Sequence, residues 1–168
     1  ISGLKELGFY DVKEAALGAD MVAFEESKEL IHKGFLMSSC CPAFVSYVDK
    51  NFPKLKDFMS ENMSPAAVMG KYIKEHDKDA RVVFIGPCTA KKSEARKPHI
   101  RPYIDSVITF TELQALFDSR DIEITELPEA DIKGASYFGR IFARSGGLTE
   151  AVEEAIKEQG VTDFELRP

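Results

Sequence analysis

The run Ala80-Arg-Val-Val-Phe-Ile85, halted by Gly86-Pro87, is the feature that most limits the fold. It is nearly continuously apolar, as expected of a strand covered on both faces in a parallel sheet. Ser106-Val-Ile-Thr-Phe110 reads as another strand, which leads through Thr111 as a cap into a helix over Glu112 to Phe117. Two further strand candidates come earlier, Asp11–Ala16 and the short apolar run Phe35–Ser38, and a weaker extended stretch lies around Ile122–Leu127.

Helical signals separate these runs. A helix is expected from about Asp20 to Lys33, with Met21, Phe24, Leu30 and Ile31 turned to the core and Gly34 as its stop. Pro42 suits the first turn of a helix that Phe44, Val45 and Val48 carry to about Asn51. Ser64-Pro65 repeats the signal and opens a helix through Ala67, Val68, Tyr72 and Ile73, and a final helix spans about Gly147 to Gln159. Lys91–Arg101, polar and basic, reads as a long loop. Strands alternating with helices at this spacing predict an α/β fold, a mostly parallel, doubly wound sheet of about four strands flanked by helices. Ligands gather outside the carboxyl ends of strands in such sheets.

A chain of 168 residues suits one domain, and 44% hydrophobic with 30% charged residues is the balance of a soluble globular protein. Lys and Arg total 22 against 28 Asp and Glu, a net charge of −6 that argues against a nonspecific nucleic-acid binder. No apolar run approaches the roughly 20 residues needed to span a bilayer, so no membrane role is expected. The chain opens at Ile1 within a helical pattern and closes on Asp163–Pro168, which reads as the start of another strand. Residues 1–168 are therefore expected to be one domain truncated at both ends, with no second domain.

The cysteines carry the chemistry. There are three, Cys40, Cys41 and Cys88, an odd number with two adjacent, which fits a reducing compartment better than a disulfide framework. Three cysteines cannot close a four-cysteine metal site. Cys40-Cys41 follows one predicted strand and Cys88 another, so all three thiols are expected at one edge of the sheet. In Ser38-Ser39-Cys40-Cys41-Pro42-Ala43-Phe44, a thiol pair at a strand-to-helix turn suggests ligand work, and N–H groups at the helix start would lower a thiol pKa. The alternative is that one or both are small buried hydrophobes. Gly86-Pro87-Cys88-Thr89-Ala90-Lys91-Lys92-Ser93-Glu94 sets the third thiol beside two cations, which would stabilise an anionic ligand or form an ordinary solvated loop. His32, His76 and His99 read as surface residues, and Tyr47, Tyr72 and Tyr103 as packing residues.

These two segments resemble the first and second signatures of the iron-only, or [FeFe], hydrogenases. Asn51-Phe-Pro-Lys-Leu55, Met63-Ser-Pro65 and Phe142-Ala-Arg-Ser-Gly-Gly147, followed by Glu150-Ala151, are also similar to that family's catalytic domain, so the likeness covers nearly the whole chain. The resemblance implies one lobe of a two-lobed domain holding an H-cluster: a 4Fe-4S cluster joined through a cysteine sulfur to a di-iron subcluster with carbonyl, cyanide and dithiolate ligands. Carried over by position, Cys41 and Cys88 are the cube ligands and Cys40 is the free proton donor and acceptor. Lys91 hydrogen-bonds a cyanide, and Pro87 lines the pocket. Glu26 and Glu29, at i and i+3 on one helix face, with Ser60 between them, match the proton path; the alternative is a solvated helix face for Glu25, Glu26 and Glu29.

The chain departs from the pattern in several places. Position 86 is Gly where well-known members carry Met, and position 43 is Ala where many carry Gly. The stretch between the acidic helix and the twin cysteines is shorter. The third signature, with the remaining two cube cysteines, is absent, so the H-cluster is expected to be incomplete or missing in this segment and the segment alone inactive.

The resemblance implies a parent enzyme that interconverts protons plus electrons and H2 in an anaerobic cytoplasm. Its partners would be the remaining lobe of the same chain and ferredoxin or accessory iron-sulfur domains. The rivals are a hydrogenase-like sensory or iron-sulfur assembly protein that keeps the cube without H2 turnover, and a receiver-like α/β domain with incidental cysteines.

Overall fold

The computed structural model describes residues 1–161 together with Phe164 and Leu166. Its longest element is a helix early in the chain. After α1 (Ser2–Glu6), helix α2 (Ala15–Lys33) runs for 19 residues and stops at Gly34, whose φ of 74° is the left-handed conformation expected of a helix stop. Then come α3 (Pro42–Asn51), a 3-10 turn over Pro53–Phe58, and α4 (Pro65–His76). Strand β1 (Val83–Gly86), α5 (Ala90–Glu94) and β2 (Ser106–Thr109) form the next unit. The chain ends with α6 (Phe110–Asp118), a 3-10 turn over Ile124–Glu126, α7 (Tyr137–Ile141) and α8 (Gly147–Glu158).

The predicted α/β class holds, with a smaller sheet than the four strands expected. Among the described residues β1 and β2 pair in parallel, Val83 opposite Ser106 through Gly86 opposite Thr109. Phe35–Ser38 contributes one parallel bridge, Met37 opposite Met59, in place of a full strand. Asp11–Ala16 is not a strand: α2 already begins at Ala15, five residues earlier than the sequence suggested. Ile122–Leu127 contains a 3-10 turn, and Lys91–Arg101 begins within α5. Of the final strand predicted at Asp163–Pro168 all but Phe164 and Leu166 lies outside the described residues. Asp11–Ala16 and Ile122–Leu127 have no strand to pair against among the described residues, and a strand is stable only in a ladder.

The core follows the helical period of α2. Ala19, Val22, Ala23, Glu26 and Ser27 form its buried stripe, at the i, i+3, i+4, i+7, i+8 spacing, whereas Phe24 and Ile31 are exposed. The sequence reading chose the large side chains, but the close approach of neighbouring helices needs small ones. A Cβ on Gly18 would stand 2.2 Å from the Pro65 carbonyl oxygen at the start of α4. On the opposite face of α4, a Cβ on Gly70 would stand 2.6 Å from the Tyr103 carbonyl oxygen. One apolar cluster joins α2 to Phe142 and to Ala151, Val152 and Ile156 of α8. A second joins Ala66 and Ala67 of α4 to Ile100 and Ile104 before β2. Helix α4 is thus the wall between the helical layer and the sheet.

Caps place the ends. Ser64 caps α4, its hydroxyl accepting from the Ala67 N–H, as the sequence predicts. The cap of α6 is Thr109, not Thr111: Thr109 accepts from the Glu112 N–H, and the Glu112 carboxylate accepts from the Thr109 N–H, a reciprocal box.

Candidate functional site

Cys41 is the N-cap of α3, and Pro42 at the first helical position starts that helix without needing a hydrogen-bond partner for its nitrogen. Cys88 follows Gly86, the last residue of β1, and precedes α5. Helices α3 and α5 pack together, which brings the two thiol segments to one place beyond the end of β1. The Lys91 ammonium on α5 donates to the Cys40 carbonyl at 3.3 Å and to the Glu94 carboxylate at 2.8 Å. Lys91 and Glu94 are nearly buried, at 12% and 7% side-chain exposure, so Lys91 is no solvated loop lysine. Lys92, half-buried, turns the other way and pairs with Glu112 of the α6 cap, which helps hold the Glu112 carboxyl down at about 2. Pro87 is exposed beside Cys88.

The three thiols differ in surroundings. Cys41 is exposed, Cys88 half-buried, and Cys40 half-buried against the α2–α8 cluster. Burial pushes the Cys40 thiol above its ordinary range, an effect that outweighs the hydrogen bond from Ser38 and the nearby Lys91 cation. The lowering expected from the helix start is therefore not what governs Cys40. All three are free thiols.

Behind Cys40 lies a buried polar chain. Glu26 is 1% exposed within the core stripe of α2, so the solvated-face alternative holds for Glu25 and fails for Glu26. Its carboxylate accepts from the Ser38 hydroxyl at 2.7 Å, and the Ser38 oxygen accepts from the Cys40 N–H at 3.3 Å. Burial raises the Glu26 carboxyl and the Glu29 charge adds to the rise, while the Ser38 hydroxyl bond, the neighbouring Ser60 and the Ser39 N–H pull the other way. The Ser60 hydroxyl donates to Glu29 at 2.9 Å, which sets it between the two carboxyls. Partial burial pushes Glu29 up, but Lys33 at 2.6 Å, Ser60 and the Glu61 N–H outweigh it and hold this carboxyl below its usual range. Lys33 also reaches Glu61, which is 85% exposed, so the chain of polar groups ends at the surface.

The structure thus links the Cys40 loop, Glu26, Ser60 and Glu29 through polar contacts, and brings Lys91 of the Cys88 segment against the Cys40 carbonyl. Sequence reading passed over Ser38, Asn62, Lys33 and Glu94 as partners in this network. Asn62 donates to both Glu29 and Ser60. The i,i+4 spacing of Glu29 and Lys33 and the i,i+3 spacing of Lys91 and Glu94 are signals that could have found two of them. The loop contacts of Ser38 and Asn62 have no local signature. The three histidines are exposed, with His76 tilted against Tyr72 at 4.3 Å between ring centroids.

Cys41 and Cys88 offer two soft sulfur donors on neighbouring segments, chemistry that suits iron-sulfur ligation. Among the described residues no group of three or more His, Cys, Asp or Glu side chains is placed to hold a metal ion. The donor set therefore fits half of a four-cysteine cluster site.

Comparison with known proteins identifies the family. Residues 1–167 match the family described as iron only hydrogenase large subunit, C-terminal domain. The chain is 31% identical to Iron hydrogenase 1 of Clostridium pasteurianum over 179 aligned positions, covering 94% of this chain and 31% of that protein. Over 92% of its length it superposes on an apo [FeFe]-hydrogenase of Chlamydomonas reinhardtii with a TM-score of 0.74 and 32% identity, covering 45% of that structure. It is also 34% identical over 92 residues to the cytosolic Fe-S cluster assembly factor NAR1 of Kluyveromyces lactis, covering 55% of this chain and 20% of that protein. The chain therefore spans about a third of the first relative and under half of the solved structure.

Proposed function

The chain belongs to the iron only hydrogenase large subunit family, through the C-terminal domain of that subunit, and from this membership we propose that it is the first lobe of an H-cluster domain. The whole protein would interconvert protons plus electrons and H2. The observation that carries the proposal is the buried Glu26 carboxyl tied through Ser38 to the Cys40 loop, whose carbonyl accepts from Lys91 of the other thiol segment.

In this reading Cys41 and Cys88 hold two corners of a 4Fe-4S cluster, and two ligands come from the remaining lobe of the same chain. When bound, the H-cluster supplies the redox chemistry. The residues of this chain bind it, screen it from water and carry protons. Lys91, fixed by Glu94 and the Cys40 carbonyl, presents a cation to an anionic group such as a cyanide, and Pro87 lines the same pocket. Cys40 holds the proton nearest the reacting centre, and Glu26, Ser60 and Glu29 pass it between the interior and the Lys33–Glu61 surface. Electrons enter from ferredoxin or accessory iron-sulfur domains. Free thiols fit a reducing cytoplasm.

The test is hydrogen evolution from reduced dye by the full-length protein, loaded anaerobically with cube and a synthetic di-iron precursor, beside Cys40→Ser. Activity that falls by at least a hundredfold in the variant supports the reading, within the range for loss of a general acid or base. The likeness to an assembly factor favours a second reading, a cube-binding protein without H2 turnover. That outcome is an intact cube, no hydrogen from the wild type, and Cys40 without a proton-transfer role.

A further inference from the structure

Ser38 is the side chain through which the Cys40 loop and the buried Glu26 carboxyl meet. Its hydroxyl has one proton and two lone pairs, and the structure accounts for both kinds of capacity. The proton goes to Glu26 Oε1 at 2.7 Å, and an oxygen lone pair takes the Cys40 N–H at 3.3 Å. The residue before it is clamped. The Met37 N–H donates to the Phe58 carbonyl at 2.8 Å and the Met37 carbonyl accepts from the Ser60 N–H at 2.7 Å. Ser38 is therefore held relative to Ser60 by backbone and relative to Cys40 by its own side chain. Glu26 is 1% exposed on a helix with no other charged residue in its buried stripe, so its carboxyl direction depends on the few donors that reach it.

We propose that Ser38 is a positioning residue: its hydroxyl fixes the Glu26 carboxyl against the Cys40 loop, so that a single hydroxyl joins the carboxyl to the Cys40 backbone amide. The inference rests on the proposed proton path for its purpose but on geometry alone for its existence. Removing the hydroxyl leaves a buried carboxyl short of a donor and free to turn toward Ser60.

The test uses infrared difference spectra of the full-length protein without the H-cluster between acid and alkaline pH, in which the carbonyl stretch lost as Glu26 ionises is assigned by its absence in Glu26→Gln. Ser38→Val, matched in shape by Ser38→Thr, is expected to move that band to higher frequency as the hydrogen bond is lost, and Ser38→Thr to keep it near the wild-type position. In the loaded protein, hydrogen evolution is expected to fall roughly tenfold in Ser38→Val and to recover in Ser38→Thr, the size of one hydrogen bond to a charged group. An unmoved band in Ser38→Val overturns the inference, as does a shifted band with wild-type turnover. If the loaded wild type makes no hydrogen, the function fails while a shifted band with Thr rescue still establishes Ser38 as the residue that orients Glu26.

Discussion

At the scale of single residues, the informative side chain is a carboxylate in an apolar position. Glu26 occupies the same helical stripe as Ala19, Val22 and Ala23, and burial raises its pKa above the ordinary 4.5. The folded state then holds its proton more tightly than the unfolded chain, so folding binds protons between 4.5 and the raised value and stability falls as pH rises through that window. Glu26→Gln keeps the shape and removes the charge. Denaturant titrations are expected to show the variant more stable than wild type at neutral pH, with the gain shrinking to nothing below about pH 4. A wild-type-like stability difference at both pH values would mean that Glu26 is solvated when ionised. Nothing local separates Glu26 from its neighbour Glu25 in the sequence. Which of two adjacent glutamates is buried depends on the rotation of α2 against α4 and α8.

At the scale of elements, the motifs are positioned by how closely α2 and α4 approach. Gly18 lets the Pro65 carbonyl come within the space a Cβ would fill. Gly18→Ala is expected to destabilise the chain by about 1–3 kcal/mol, the usual cost of overpacking, read as a lower denaturation midpoint at an unchanged slope. Because Ser60, Asn62 and the α4 cap Ser64 lie on the segment that α4 anchors, the same variant is expected to loosen the Glu29 network. Helix starts at Pro42 and Pro65 and the stop at Gly34 were legible locally, since proline lacks an N–H to satisfy and glycine tolerates φ of 74°. The α6 cap was placed two residues late, because Thr109 and Thr111 carry the same chemistry and only the reciprocal bond with Glu112 separates them.

At the scale of the molecule, the two thiol segments are one site because α3 and α5 pack together and Lys91 donates across to the Cys40 carbonyl. If Cys41 and Cys88 are cluster ligands, Cys41→Ser and Cys88→Ser in the full-length protein each lower the iron content per chain. Iron assay with the brown charge-transfer absorbance is the measurement. Iron unchanged in both variants would make the thiols incidental. The chain covers 31% of Iron hydrogenase 1, so the iron assay belongs on the full-length protein.

The sequence by itself determined the helix starts at Pro42 and Pro65 and the stop at Gly34, the strands at Val83 and Ser106, the free thiols and, by resemblance, the family. Each of these rests on chemistry within a few residues or on a motif read in register. Only the tertiary structure decided that the sheet has two strands among the described residues, that Phe24 is exposed while Glu26 is buried, and that Ser38 joins Glu26 to Cys40. Those outcomes depend on contacts between residues far apart in the chain. A strand needs a partner, a buried face needs a neighbour, and a carboxyl's direction depends on donors that other segments bring to it.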